Sequence, residues 1–210
     1  MKTAKRILVL TLALVFAFGL LAEARSDGKV KMDKKVRDFK LTDAMGKTHS
    51  LAKLSKDKKG TVVMFIAIQC PVSNAYNERM AELHDSYKDK EIQFIGINSN
   101  RQEPAEEIAE HSKENSFEFV VLKDLNNKIA DYFGARRTPE VYLLDENLTL
   151  RYHGAIDDDQ YNTKTAAPYL KEVLDLVVAG KEIPKDMRET KAFGCTIERV
   201  KTERTRRGTP

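Results

Sequence analysis

The chain has 210 residues, and 36 lysines and arginines nearly balance 32 aspartates and glutamates, for a net charge of +4. This balance excludes a strongly basic nucleic-acid-binding protein. The small basic excess lies after Gly180, where no series of aromatic residues alternates with the charges, so we predict no nucleic-acid partner. The length fits one ordinary domain with tails.

The first 24 residues have the pattern of a secretory signal peptide. Lys2, Lys5 and Arg6 precede an apolar run at 7–21, and small residues then precede the expected cleavage after Ala24. The run of 15 residues is shorter than the roughly 20 that span a bilayer, which favours cleavage over an uncleaved anchor. Cleavage would remove three of the 36 bases and one of the 32 acids, leaving 186 residues with a net charge of +2. We expect an exported protein, periplasmic or secreted, with no stable membrane anchor after cleavage.

Hydrophobic patterning predicts alternating strands and helices. The continuous apolar run at 61–68 is typical of a strand that is buried on both faces. The predicted elements, in chain order, are a strand at 36–41, a turn at 43–46, a strand at 61–68, a helix at 71–88, a strand at 92–98, a helix at 104–115, a strand at 117–122, a helix at 126–133, a hairpin of 140–145 with 148–154, and a helix at 169–179. This order predicts an α/β three-layer sandwich, with a mixed sheet flanked by helices.

The predicted organisation has one domain. It consists of a signal peptide at 1–24, an N-terminal extension at 25–34, an α/β domain at 35–180 and a basic C-terminal tail at 181–210. The tail is mostly charged, so we expect it to form a mobile arm.

Cys70 lies between the buried strand and the helix that follows it. Pro71 fits the first helical position, where its missing N–H costs nothing. A thiol at a helix N-terminus meets unpaired N–H groups and the positive end of the helix dipole, and both stabilise a thiolate. Cys70 is therefore the candidate nucleophile, and the alternative is a buried, inert cysteine.

The predicted mature chain has two cysteines, Cys70 and Cys195. In an oxidising compartment an even number favours pairing, although the spacing alone does not establish it. A permanent bridge would be worth on the order of 4 to 5 kcal/mol in the chain-entropy model. A reactive position for one partner favours a reversible bond instead, and the residues leave both alternatives open.

Two short motifs lie beside predicted strands: Gln69-Cys70-Pro71-Val72-Ser73 follows the apolar strand, and Thr138-Pro139 precedes the hairpin. With these motifs, residues 35–180 resemble the thioredoxin-like fold, and within it the redoxin superfamily of alkyl hydroperoxide reductases and thiol-specific antioxidants. In thioredoxins Trp-Cys-x-x-Cys follows such a strand, and Thr138-Pro139 resembles the loop that carries a cis-proline beside the active cysteine of this fold. The run Gly194-Cys195-Thr196-Ile197 resembles the end of a peroxiredoxin-like subgroup with a single active-site cysteine.

The resemblance implies roles for particular residues. A Cys70 thiolate would attack a substrate, Ser73 would stabilise that thiolate by a hydrogen bond, and Cys195 would resolve the adduct as an intramolecular disulfide. An extended substrate segment would lie beside the nucleophile. The implied site is therefore catalytic Cys70, Cys195 and Ser73, with substrate contacts at Pro71, Thr138 and Pro139.

The sequence also departs from both relatives. Ser73 replaces the second thioredoxin cysteine, and Met64 replaces the buried acid of that family. Val63 and Ala67 stand in the places of the peroxiredoxin proline and threonine, and the arginines at 136–137 lie only near its catalytic arginine. Peroxide chemistry therefore loses its specific support.

Metal and cofactor motifs are missing from the sequence. Four histidines are scattered without the spacing of zinc or copper ligands, and the aspartates at 157–159 indicate a solvated turn rather than a calcium loop. We predict no metal and no cofactor. Asn147 begins a glycosylation sequon that equally fits a plain hairpin turn.

These observations predict an exported thiol-disulfide oxidoreductase. Its partners would be protein or small-molecule disulfides or peroxides, together with an external thiol reductant. Two alternatives remain, because a fold does not define a function. One is a divergent thiol peroxidase that uses the same two cysteines, and the other is a non-enzymatic secreted binding module with a structural bridge.

Overall fold

The computed structural model describes residues 29–162 and 164–200, so the predicted signal peptide lies outside the described residues. The strands are β1 (Lys40–Asp43), β2 (Thr48–Ser50), β3 (Gly60–Ile66), β4 (Ile92–Asn98), β5 (Val120–Lys123), β6 (Arg137–Thr138), β7 (Glu140–Asp145), β8 (Leu150–Gly154) and β9 (Cys195–Thr196). The helices are α1 (Leu51–Leu54), α2 (Pro71–Asn74), α3 (Asn77–Tyr87), α4 (Ala105–Glu114), α5 (Lys128–Phe133) and α6 (Tyr169–Val178). Within this part of the chain, no helix is long and apolar enough to cross a membrane.

Seven strands form one mixed sheet in the order β2-β1-β5-β4-β3-β7-β8. The three central strands β3, β4 and β5 are parallel, β7 pairs antiparallel with β3, and β8 pairs antiparallel with β7. Strands β6 and β9 form a separate antiparallel pair. The predicted strand at 92–98 and the first strand of the predicted hairpin have the observed bounds of β4 and β7.

Alternating side chains along β3 separate two apolar layers. All seven residues of β3 are buried, and Val62, Met64 and Ile66 face the core that contains α3, α4 and α6. Val63 and Phe65 face the opposite core, which contains α1 and α5. This division follows from the two-residue period of a strand. The prediction of a mixed sheet between two helical layers is confirmed.

The predicted helix at 71–88 is interrupted in the structure. The N–H of Ala75 bonds back to the first turn and closes α2, and α3 begins at Asn77. Tyr76 lies at the break with its ring buried, and its hydroxyl donates a hydrogen bond to Asp157 over 2.7 Å. Cys70 therefore precedes a helix of only four residues, which has a shorter dipole than the sequence suggested.

Two predicted strands are displaced toward the C-terminus. The strand predicted at 36–41 is β1 at 40–43, and the strand predicted at 117–122 is β5 at 120–123. Val36 and Phe39 are buried although they lie outside β1, and the N–H of Val36 bonds to the carbonyl of Leu148 rather than to the ladder. The prediction from apolar residues alone therefore placed the first strand too early in the sequence.

The C-terminal tail packs on the domain over its described residues, 181–200, so the prediction of a mobile arm is wrong for these residues in this disulfide-bonded form. Ile183 and Ile197 are buried, and the ring of Phe193 lies 6.1 Å from that of Tyr76. The N–H of Ile197 donates to the carbonyl of Arg136 over 3.0 Å. A few apolar residues spaced along a charged segment suffice to fix it when the main chain also finds partners.

Candidate active site

The site lies where the carboxyl ends of β3, β4 and β5 meet. Parallel strands place these ends at one edge of the sheet, so the loops that follow them converge there. Residues 67–70 follow β3, residues 99–104 follow β4, and residues 124–127 follow β5. Polar residues separated in sequence are brought together at this edge.

Cys70 is the N-cap residue of α2 and is 3% exposed. Its Sγ accepts a hydrogen bond from the main-chain N–H of Ser73 over 3.3 Å. The same sulfur lies 3.4 Å from the carbonyl oxygen of Thr138. Pro71 occupies the first position of α2 and is exposed, as a residue at the rim of a substrate site would be.

Ser73 contacts the Cys70 sulfur through its main chain in this structure. Its side chain is fully buried, and its Oγ accepts a hydrogen bond from the N–H of Ala67 over 3.2 Å. The hydroxyl therefore anchors the loop before Cys70, whereas we predicted that it would bond to the thiolate. The N–H of the same residue supplies the bond to sulfur.

Thr138 lies against the sulfur, and Pro139 follows it in the chain. Their peptide bond is cis, which confirms the conformation that the resemblance implied. Both residues are buried. Among the described residues, the buried Thr138 hydroxyl has no hydrogen-bond partner.

Cys195 forms a disulfide with Cys70, with 5.9 Å between the two Cα atoms. Strand β9 pairs with β6 so that Cys195 lies opposite Thr138. Gly194 has φ +142, and a Cβ there would clash with the Thr138 carbonyl oxygen, so the approach needs glycine. The guanidinium of Arg137 donates to the Gly194 carbonyl over 3.2 Å and to Thr196 Oγ1 over 3.0 Å.

The structure thus brings all six predicted site residues together around one disulfide. A cleft of about 170 Å³ opens beside the bond. Its lining consists of Gln69, Cys70, Asn100, Gln102, Glu103, Cys195, Thr196 and Glu198.

Sequence reasoning missed a buried polar network below the cleft. Glu103 is 1% exposed, and its carboxylate accepts hydrogen bonds from the N–H groups of Ile68 and Gln69. Lys123 is also buried, and desolvation lowers the pKa of its ammonium although Glu103 opposes the shift. The sequence feature that could have indicated this network is the polar run 98–100 at the end of the apolar strand predicted at 92–98.

Glu140 organises the other side of the site. Its buried carboxylate accepts hydrogen bonds from the N–H groups of Arg136 and Arg137, and from Tyr142. Burial alone would raise the pKa of Glu140. Hydrogen bonds from His153 and from the two N–H groups outweigh burial and leave the pKa of Glu140 below its ordinary value.

A possible metal cluster lies away from this site, among the residues that the structure describes. His84, Asp85 and Glu118 could present ligand atoms within 4.8 Å of one another. The ammonium of Lys88 already lies 2.9 Å from both carboxylates, and both acids are exposed. A lysine satisfies this pair of charges, and the lack of a metal stays a prediction.

The fold and the dithiol together define a thioredoxin-like redoxin. Residues 32–153 match the AhpC/TSA family, which is more than half of the chain, and the protein belongs to that family. None of the curated proteins compared with the chain matches it significantly.

Solved structures with the same fold include two of similar size. A hypothetical protein from Sinorhizobium meliloti 1021 is 28% identical with a TM-score of 0.74, and the match covers 82% of this chain and 97% of that one. An uncharacterized conserved protein from Geobacillus kaustophilus is 26% identical with a TM-score of 0.75, covering 82% and 94%. The peroxidoxin BcpB from Mycobacterium tuberculosis is 16% identical with a TM-score of 0.56, covering 72% and 97%, and shares the fold.

Proposed function

We propose that this protein is an exported thiol-disulfide oxidoreductase in which Cys70 is the nucleophile and Cys195 resolves the adduct. One observation carries the proposal: the disulfide joins a cysteine at a helix start to a tail cysteine opposite Thr138. A bridge that served stability alone would not need a sulfur that accepts a helix-start N–H. That N–H is suited to stabilising a thiolate when the bond is broken.

The reaction has two exchange steps. The Cys70 thiolate attacks one sulfur of a substrate disulfide and forms a mixed disulfide, and the other substrate sulfur leaves as a thiolate. Cys195 then loses its proton and attacks the Cys70 sulfur, so the second substrate sulfur leaves. Two electrons pass from the protein dithiol to the substrate, and the leaving thiolates take protons from water. An external dithiol or two monothiols restore the reduced protein.

The β6 edge supports this assignment. In the oxidised protein β9 pairs with Arg137–Thr138, so an extended segment with a cysteine opposite Thr138 already fits there. We expect a substrate segment to take the same place when the tail is released. The buried Thr138 hydroxyl is a further donor that such a segment would meet.

Membership of the AhpC/TSA family favours peroxide as the second candidate substrate. In that reaction the thiolate attacks a peroxide oxygen, giving a Cys70 sulfenic acid and an alcohol or water. Cys195 would then condense with the sulfenic acid, forming the same disulfide and releasing water. The arginine that approaches the site, Arg137, is engaged with the tail, which leaves little to stabilise the departing oxygen in this form.

Turnover assays on the mature chain separate these functions. We expect Cys70→Ser to abolish reduction of a protein disulfide, and Cys195→Ser, the matched control, to stall as a stable Cys70 mixed disulfide. Peroxide should oxidise Cys70 at the rate of an ordinary thiolate of similar pKa. A rate orders of magnitude faster would establish the peroxidase instead. Turnover that survives in Cys70→Ser would refute both.

Export is tested separately, in cells that express the full chain. The protein should appear outside the cytoplasm with Arg25 as its first residue. An intact N-terminus in the cytoplasmic fraction would contradict this part of the proposal. A Leu14→Arg variant, which interrupts the apolar run, should remain uncleaved.

A further inference from the structure

Glu103 is a buried charged group that the exchange mechanism does not use. Its carboxylate faces four N–H donors: the main chains of Ile68 and Gln69, at 3.1 and 2.9 Å, and the side chains of Asn98 and Asn100. Removal of this carboxylate would be costly, because it would leave several buried N–H groups without partners.

The bonds from Glu103 fix the segment that carries the nucleophile. Between β3 and Cys70 the chain leaves the sheet, and the N–H groups of residues 67–69 lose their ladder partners. Ser73 Oγ accepts from residue 67, and the two oxygens of Glu103 accept from residues 68 and 69. The main chain that leads into Cys70 is thus held from the side by Glu103.

The same loop also holds the tail. The Asn100 side chain donates to Glu103 over 3.0 Å, and its oxygen accepts from the N–H of Glu198 over 2.9 Å. Lys123 stabilises this loop by donating to the carbonyl oxygens of Asn100 and Glu103, both over 2.6 Å. One amide side chain therefore connects the support of Cys70 to a residue three positions beyond Cys195.

We propose that Glu103 is a positioning residue for Cys70, and that Asn100 couples this support to docking of the tail. The proposal rests on the thiol chemistry proposed above. When the tail docks, the Glu198 N–H orients the Asn100 amide, whose NH₂ group then points at Glu103. Docking and nucleophile geometry stabilise each other by the same free energy, because coupling between two sites is reciprocal.

The positioning role is tested on the thiol itself, in full-length protein with Cys195→Ser. Glutamine at position 103 offers one acceptor oxygen and turns an NH₂ group toward the second N–H, so the loop shifts and Ser73 N–H loses its alignment on sulfur. We expect Glu103→Gln to move the midpoint of Cys70 alkylation about half a pH unit to one unit higher. The charged groups around this cleft are Glu103 and Glu198, with Lys123 and Asp124 in the network below it and Arg137 on the adjoining strand.

Two outcomes overturn the positioning role. Loss of a nearby negative charge alone would move the midpoint lower, and a purely structural role would lower the unfolding midpoint in urea without moving the alkylation profile. Glu106→Gln, on the exposed face of α4, is the matched control and should change neither. If Glu103→Gln does not fold, Glu103→Asp keeps the charge but cannot reach both N–H groups, and it should show a smaller shift in the same direction.

The coupling is tested on the disulfide equilibrium against glutathione buffers. Asn100→Ala should lower the equilibrium constant for the Cys70–Cys195 bond about fivefold, and Asn147→Ala, an exposed asparagine in the β7–β8 turn, should leave it unchanged. With Glu103→Gln added, the decrease should be smaller than the product of the two single effects. A decrease equal to the product overturns the coupling. Failure of the proposed function would instead appear in the wild type, as a disulfide that never forms or never exchanges.

Discussion

The two cysteines of the disulfide differ in exposure. Cys70 is 3% exposed, whereas Cys195 is only partly buried, and both residues line the open cleft. Thiol exchange requires approach to one sulfur along the bond, and the departing sulfur leaves as a thiolate. We therefore predict that an external thiol attacks Cys195 and releases Cys70 as a thiolate. The hydrogen bond from the Ser73 N–H would stabilise the negative charge on that sulfur.

Acid quenching of the oxidised protein during its reduction by glutathione shows which of the two sulfurs is attacked. Mass mapping should place glutathione on Cys195, with Cys70 available to an alkylating agent added afterwards. Glutathione found mainly on Cys70 would contradict the assignment. The double variant with serine at both cysteines, treated identically, controls for labelling elsewhere.

Glu140 makes the free energy of unfolding depend on pH. The pKa of Glu140 lies below its ordinary value of 4.5 in the folded protein, so its contribution is fully present above that value and is lost as pH falls through the folded pKa. At pH 7 we expect Glu140→Gln to cost about 1–3 kcal/mol in free energy of unfolding. The difference from wild type should shrink below pH 4.5.

Urea unfolding at several pH values tests this dependence. Glu146→Gln, at an exposed position in the β7–β8 turn at the other end of the strand, is the control and should follow the wild type. A difference between Glu140→Gln and wild type that stays constant from neutral to acidic pH would show that the loss is steric rather than electrostatic.

At the scale of elements, the sequence predicted what local patterns specify. Buried strands β3 and β4 and the hairpin of β7 and β8 follow from apolar runs and turn residues, and the position of Cys70 follows from the strand before it. The break before α3 depends on Tyr76 bonding to Asp157, and the loop support depends on Glu103 bonding to residues 68 and 69. Such contacts join residues distant in sequence, which periodicity does not register.

The pairing of β6 with β9 can be tested by comparing substitutions of two neighbouring residues, Arg136 and Arg137. Arg137 donates two hydrogen bonds to the tail from its side chain, whereas the hydrogen bond of Arg136 to the described part of the tail is accepted by its carbonyl oxygen. We expect Arg137→Ala to lower the equilibrium constant of the disulfide about threefold, because these bonds are solvent-exposed and exist only with the tail docked. Arg136→Ala should leave it unchanged. Equal effects of the two substitutions would indicate that only the local charge matters.

On the scale of the whole molecule, the disulfide closes a separation of 125 residues and ties the tail across the end of the sheet. Formation of the bond therefore removes entropy from the unfolded chain, on the order of 4 to 5 kcal/mol in the chain-entropy model. If reduction releases the tail, the tail also gains entropy in the native state. This gain stabilises the reduced native protein and offsets part of the entropic difference. The measured difference between oxidised and reduced protein should then fall short of that figure.

Hydrogen exchange distinguishes a releasable tail from a permanently docked one. In the oxidised protein the N–H groups of Ile197, Glu198 and Val200 are bonded to Arg136, Asn100 and Asn127. After reduction we expect these amides to exchange at least tenfold faster, because the disulfide no longer tethers the tail and restricts its local opening. The amides of β3 and β4 should keep their protection and serve as the internal control. Unchanged protection across residues 195–200 would contradict this prediction and mean that the tail is a fixed part of the fold in the reduced protein as well.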